Sequence, residues 1–183
     1  MDIIGQGRAA PSAGFEVPLE MLAACHGRVQ AQCELLQRLL DHLPAHGADR
    51  QALEAIERIR RYFDTAARDH HADEEQDLLP ALLEAMAGSD AVCIRDMMRR
   101  VRDEHRMLEQ RWAALREALQ ALESGASQEL DAGLAQGFIE AYRAHMAFEE
   151  AELLPMAQRL LGDDQLDAIG RAMRLRRGIA DPA

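Results

Sequence analysis

Aromatic residues are scarce in this chain: four phenylalanines, two tyrosines and one tryptophan, 4% of 183 residues. Sheet cores lean on aromatic and β-branched side chains. Their scarcity, beside a 48% hydrophobic content built largely from Ala and Leu, points to helices. Cysteine is equally sparse, and three well-spread residues cannot build a disulfide framework, so reduced thiols and a cytoplasmic location are expected. No apolar run approaches the roughly 20 residues that span a bilayer. Basic residues are outnumbered, 21 against 32 acidic, and the net charge of −11 excludes nucleic acid and anionic membrane surfaces as expected partners. The first residues lack the basic-then-apolar pattern of a secretion signal. A chain of this length suits one core.

What the sequence does have is a repeat. Asp69-His70-His71-Ala72-Asp73-Glu74-Glu75-Gln76-Asp77-Leu78-Leu79-Pro80 returns as Ala144-His145-Met146-Ala147-Phe148-Glu149-Glu150-Ala151-Glu152-Leu153-Leu154-Pro155. Aligning the Leu-Leu-Pro ends sets His70 over His145, Glu74 over Glu149 and Glu75 over Glu150, whereas His71 falls over Met146. Residues four apart share a helix face, so each copy aims an imidazole and a carboxylate the same way. The echo selects His70 and places His71 and Glu75 one step round, as supporting or solvated groups.

Residues 1–16, rich in Gly, Ala, Pro and Ser, read as a flexible arm. From Pro18, an apolar seam of alternating three- and four-residue steps marks a bundle helix that ends at Pro44–Gly47, and His26 occupies one seam position. A second helix, about 49–86, carries His70 and Glu74 on its seam; Pro80 should bend it near Gln76. Gly88, Ser89 and Asp90 supply a stop and a cap. A third helix, about 90–123, places His105 in its seam, with Glu109 one turn on, and a fourth, about 128–161, carries His145 and Glu149. A short fifth helix, about 164–177, ends in Arg174, Arg176 and Arg177, cations suited to a helix C-terminus. The expected fold is an all-α, up-down-up-down four-helix bundle over 17–162, followed by a short C-terminal helix and tail over 163–183.

Short turns fix the level of each residue. At about 1.5 Å of rise per residue, His26, His70, His105 and His145 come within about one turn of a single slab. Four imidazoles and two carboxylates in a bundle interior would cost several kcal/mol uncompensated, so a metal is expected among them. Imidazole with carboxylate suits iron, zinc or manganese, and two carboxylates on opposite helices can bridge two ions.

The set resembles the hemerythrin-like (HHE cation-binding) family over residues 17–162. That family's pattern is a lone His, a His-x3-Glu pair, a second lone His and a second pair, each pair followed by Leu-Phe-Pro or similar. His26, His70 with Glu74, His105, and His145 with Glu149 meet it, with Leu79 and Leu154 where Phe is frequent. The resemblance implies a non-haem di-iron centre, bridged by both glutamates and an oxo or hydroxo group, that binds, senses or scavenges dioxygen, nitric oxide or peroxide. Zinc and manganese are the lesser alternatives.

Oxygen carriers similar to this chain place a second histidine four residues after the third-helix one. Here that position is Glu109, a further candidate ligand, and a lasting oxygen adduct is not expected. An enzyme breaking down peroxide or repairing iron centres is the second reading. A helical phosphotransfer module is the third, and it would require an exposed, unligated histidine. His42 and His46 read as surface residues, Cys33 as core, and Met21 and Met146 as core or as walls of a ligand pocket.

Overall fold

The computed structural model describes residues 14–86 and 91–180. Among them the chain is helix and connecting turn throughout, and no helix is long and apolar enough to cross a membrane. Residues 1–13 of the expected arm lie outside the described residues, as do Gly88, Ser89 and Asp90.

Helix α1 (Pro18–His46) opens on a proline whose missing N–H costs nothing in a first turn. It continues through Pro44 and stops, within the expected stretch, at Gly47, whose φ of +63° favours glycine. Helix α2 (Arg50–Asp64) is capped by the Asp49 carboxylate, which accepts from the Ala52 N–H at 2.9 Å. The single second helix expected from the seam is interrupted at Thr65, whose hydroxyl donates to the Arg61 carbonyl at 2.6 Å while its backbone leaves the helical region. Helix α3 (Ala66–Asp73) follows.

At Glu74–Leu78 the helix widens into one π-helical turn before α4 (Leu79–Ala85). Helix α6 (Ala132–Phe148) does the same at Glu149–Leu153 before α7 (Leu154–Leu160). Each widened turn starts at the repeat's glutamate and ends just before its Leu-Pro. Proline brings no N–H to the carbonyl four residues back, and the ladder shifts to five-residue bonds, Leu79 N–H to Glu74 and Leu154 N–H to Glu149. The bend expected from Pro80 is thus taken up as an extra residue in the turn. Helix α5 (Ala91–Glu123) and helix α8 (Asp163–Arg176) complete the order.

Helix α1 lies against α2 and α6, and α5 against α6, α2 and α4. The apolar residues form two separate cores. One gathers Val29, Leu36, Ile56, Phe63, Leu115 and Phe138; the other gathers Leu22, Leu78, Leu82, Val101, Leu153 and Met173. Four helical runs, α1, α2 to α4, α5, and α6 with α7, cross from one core to the other, each at a buried histidine or glutamate, while α8 stays with the second core. Helix α8 packs across α1, α3 and the first π turn, with Gly170 admitting the Phe15 carbonyl where a Cβ would collide.

Candidate metal centre

Between the two cores lie His26 from α1, His70 from α3, His105 from α5, His145 from α6, and Glu74 and Glu149, one from each π turn; none is more than 2% exposed. The structure brings together all six side chains expected from the repeat and the seams. No seam histidine is available to solvent, which argues against the phosphotransfer reading.

The glutamates are shared. Glu74 turns Oε1 to His70 Nε2 at 3.3 Å and Oε2 to His105 Nε2 at 3.2 Å. Glu149 turns Oε2 to His26 Nε2 at 3.0 Å and Oε1 to His145 Nε2 at 3.2 Å. Ligands about 2.1 Å from one ion stand about 3 Å apart when adjacent. Each glutamate therefore offers one oxygen to each of two groups, His26 with His70 and His105 with His145, which also appear as compact donor sets.

Three of the four imidazoles turn their outer nitrogens to carboxylates. His26 Nδ1 meets Glu150 Oε1 at 3.1 Å, His105 Nδ1 meets Glu75 Oε1 at 2.7 Å, and His145 Nδ1 meets Glu104 Oε2 at 2.9 Å. Each Nδ1–H donates to a carboxylate, which assigns the tautomer and leaves Nε2 as a bare lone pair. His26 Nε2 then faces a carboxylate oxygen, and His105 Nε2 faces His145 Nε2 at 3.2 Å, acceptor against acceptor. Accordingly His26 Nε2 and all four oxygens of Glu74 and Glu149 are buried without hydrogen-bond partners. Cations between them would satisfy every one of these atoms.

Electrostatics agrees. Burial, then repulsion from Glu149, pushes Glu74 well above the usual carboxylate range. At Glu149 burial is outweighed by contact with His26 and His145, which holds it below its usual value. Burial lowers His26 too, but the Glu149 contact wins and raises it. Burial, then the neighbouring imidazoles, holds His70 well below the ordinary histidine value. Two carboxylates this close cannot both ionise cheaply without positive charge between them.

Two placements narrow the sequence reading, at His71 and Glu109, and one differs from it, at His42. His71 is not solvated: it is 7% exposed, stacks on His105 with ring centroids 3.9 Å apart, and joins His105 and His145 in a third donor set. Burial, then His105 and His145, holds it well below the usual histidine value, and its Nε2 has no hydrogen-bond partner. Glu109, by contrast, is exposed and stands outside every donor set among the described residues. It lines a 250 Å³ cleft with His71, Trp112 and Tyr142. His42, expected at the surface, is 8% exposed and bonded to Asp49 at 3.0 Å, while His46 is exposed as expected.

Sequence reasoning missed two groups. Glu104 was hidden because it has no counterpart in the repeat. The fully buried Asp73 looked like one more charge in a polar run; it is held by Arg176 and by Arg177, the latter at 2.6 Å, while Arg176 also bonds Asp77 at 2.8 Å. The basic end of α8 therefore serves a buried carboxylate next to Glu74 as well as its own helix terminus.

A model of the hemerythrin HHE cation-binding domain matches residues 17–157. The chain belongs to the hemerythrin HHE family. A protein of Haemophilus influenzae described as uncharacterized is 36% identical over 169 residues, which is 92% of this chain and 95% of that one. Family membership assigns cation binding to this chain, and the buried His/Glu cluster is where such a cation fits. The hemerythrin match ends at Ala157, before α8 begins.

Proposed function

We propose that this hemerythrin-type cluster holds two iron ions, one between His26 and His70, the other among His71, His105 and His145, with Glu74 and Glu149 bridging. The observation that carries the reading is the sharing of each glutamate between two histidine groups, with His26, His70, His105 and His145 all turning Nε2 inward to the glutamate oxygens. Iron held there, with an oxo or hydroxo bridge, supplies redox chemistry toward dioxygen, nitric oxide or peroxide. Zinc or manganese could enter the same donors.

The chain's own residues perform the rest. Glu75, Glu104 and Glu150 orient three imidazoles and raise their basicity. The two apolar cores keep bulk water from the cluster. The π turns set both bridging carboxylates facing inward from opposite sides.

The reading takes 17–162 as an up-down-up-down bundle, supported by the alternating order in which successive runs cross the two cores, with 163–183 as an appended helix and tail. It places the protein in the cytoplasm as a binder, sensor or scavenger of a small oxidant. Iron quantitation with an optical spectrum tests it: two irons per chain and an oxo-to-iron band in the near ultraviolet are expected. At most one metal under iron-replete growth, or tightly held zinc alone, overturns it.

A further inference from the structure

Five of the seven aromatic residues, Tyr62, Phe63, Trp112, Phe138 and Tyr142, form one contiguous group beside His71. The order within it is specific. His71 and Tyr142 lie 6.1 Å apart at 24°. Tyr142 touches Phe63 at 5.3 Å and Phe138 at 5.0 Å, and both phenylalanines touch Trp112, at 5.1 and 5.7 Å. Trp112 is half-buried where the cleft opens, and its indole N–H donates to Asp64 at 3.0 Å. The other Asp64 oxygen accepts from Arg116 at 3.1 Å.

Ordinary core packing accounts for Phe63 and Phe138. It does not require that two of the three readily oxidised rings, Tyr142 and Trp112, stand at opposite ends of the group, one against a histidine of the cluster and the other at the surface with its N–H on a carboxylate; the third, Tyr62, lies to the side, with its hydroxyl on the Cys25 carbonyl at 3.4 Å. That carboxylate can accept the proton an oxidised indole sheds.

We infer that Tyr142 and Trp112 form an electron relay between the metal cluster and the protein surface; the inference rests on the iron reading above. Hydrogen peroxide is the oxidant; with bound iron it would take two electrons, in two passes of the relay, and two protons from solvent, and leave as two water molecules. Tyr142 would give one electron toward the cluster and its phenolic proton to water entering the cleft that it lines. Trp112 then reduces Tyr142, which recovers a proton from the same water, and the Trp112 Nε1 proton moves to Asp64. The net change of each pass is one electron from Trp112 to the centre and one proton from Trp112 to Asp64. A soluble one-electron reductant such as ascorbate restores Trp112 from outside.

The test treats iron-loaded and zinc-loaded protein with hydrogen peroxide, measures metal content first, and maps oxidation by peptide mass spectrometry. Zinc fills the same donors without redox chemistry. Trp112 should be oxidised in the iron form, spared in the zinc form and protected by ascorbate. Tyr142→Phe should reduce Trp112 oxidation to the zinc level with iron content unchanged, and Asp64→Asn should lower it. Trp112→Phe should instead move the damage to Tyr142, with a tyrosyl signal in electron paramagnetic resonance. Equal oxidation in the zinc form, or indifference to both Tyr142→Phe and Trp112→Phe, overturns the relay. A protein that takes up no iron removes the metal reading and the relay with it; an iron-replete protein with intact Trp112 removes the relay alone.

Discussion

Glu75 accepts the Nδ1 proton of His105 at 2.7 Å, and the repeat writes the same bond a second time between Glu150 and His26 at 3.1 Å. The second glutamate of each copy thus serves the lone histidine of a different helix. Glu75→Ala and Glu150→Ala should each weaken metal binding by about 10–100-fold, the usual effect of losing such a partner. Gln, which can still accept through its amide oxygen, should do less harm. Chelator competition on purified variants measures it; unchanged affinity in both alanine variants would show that these carboxylates only decorate the site.

His71 is the next test. His70→Ala and His71→Ala should both lower the iron content, since each removes a donor from a buried set. The repeat alignment alone expects loss only at His70, so His71→Ala with a full complement of iron would return His71 to the role of a stacking neighbour.

Glu109 should behave in the opposite way. It is exposed on the rim of the cleft, outside the donor sets. Glu109→Ala should keep the iron content of the unmodified protein; a marked loss on quantitation would restore it to the ligands.

The pH dependence follows from His26 and Glu74, both raised in the metal-free fold. A raised group stabilises the fold fully below its unfolded pKa, about 4.3 for Glu and 6.5 for His, and that contribution fades as pH climbs through the folded value. His70 and His71, both lowered, are neutral in folded and unfolded chains above about pH 6.5 and add no slope there. Metal binding removes the protons of His26 and Glu74 outright. The gap in melting temperature between zinc-loaded and metal-free protein should therefore widen from about pH 6.5 to 8. Thermal scans across that range decide it, and a narrowing gap would contradict the assignment.

Asp73 gives a stability prediction away from the metal. With no exposed surface, it depends on Arg176 and Arg177. Arg176→Ala with Arg177→Ala together should cost about 3–5 kcal/mol, the effect of stranding a buried charge. Either change alone should cost less, because the other arginine remains. Urea unfolding of the three variants measures this; a double variant no weaker than the singles would mean that Asp73 finds another partner.

Much of this was legible in the sequence because the bundle repeats a simple rule. A seam that turns polar at His26, His70, His105 and His145 identifies helices crossing a polar slab, and short turns set its level. The rest was hidden for physical reasons. The π turns insert a residue without altering the Leu-Leu-Pro register that the alignment used. The break at Thr65 rests on one hydroxyl-to-carbonyl bond that leaves the apolar period intact. His71 was read by angle on an ideal helix, yet it reaches His105 and His145 across the bundle from beside the ligand face. Asp73 and the arginines of α8 are about a hundred residues apart, and no local pattern links them.

The pairing of His71 with Met146 in the repeat makes the centre lopsided. His71, His105 and His145 put three imidazoles on one side of the glutamate pair, and His26 and His70 put two on the other. If the proposed ions are bound, the His26 side, with one imidazole fewer, would be the one with room for an incoming molecule. The repeat sets the buried Met146 opposite His71, a thioether where the other copy has an imidazole. A single methionine in an otherwise doubled set would then decide which half stays open to chemistry. Met146→His would close the second door, leaving a protein that still holds metal and no longer greets a guest.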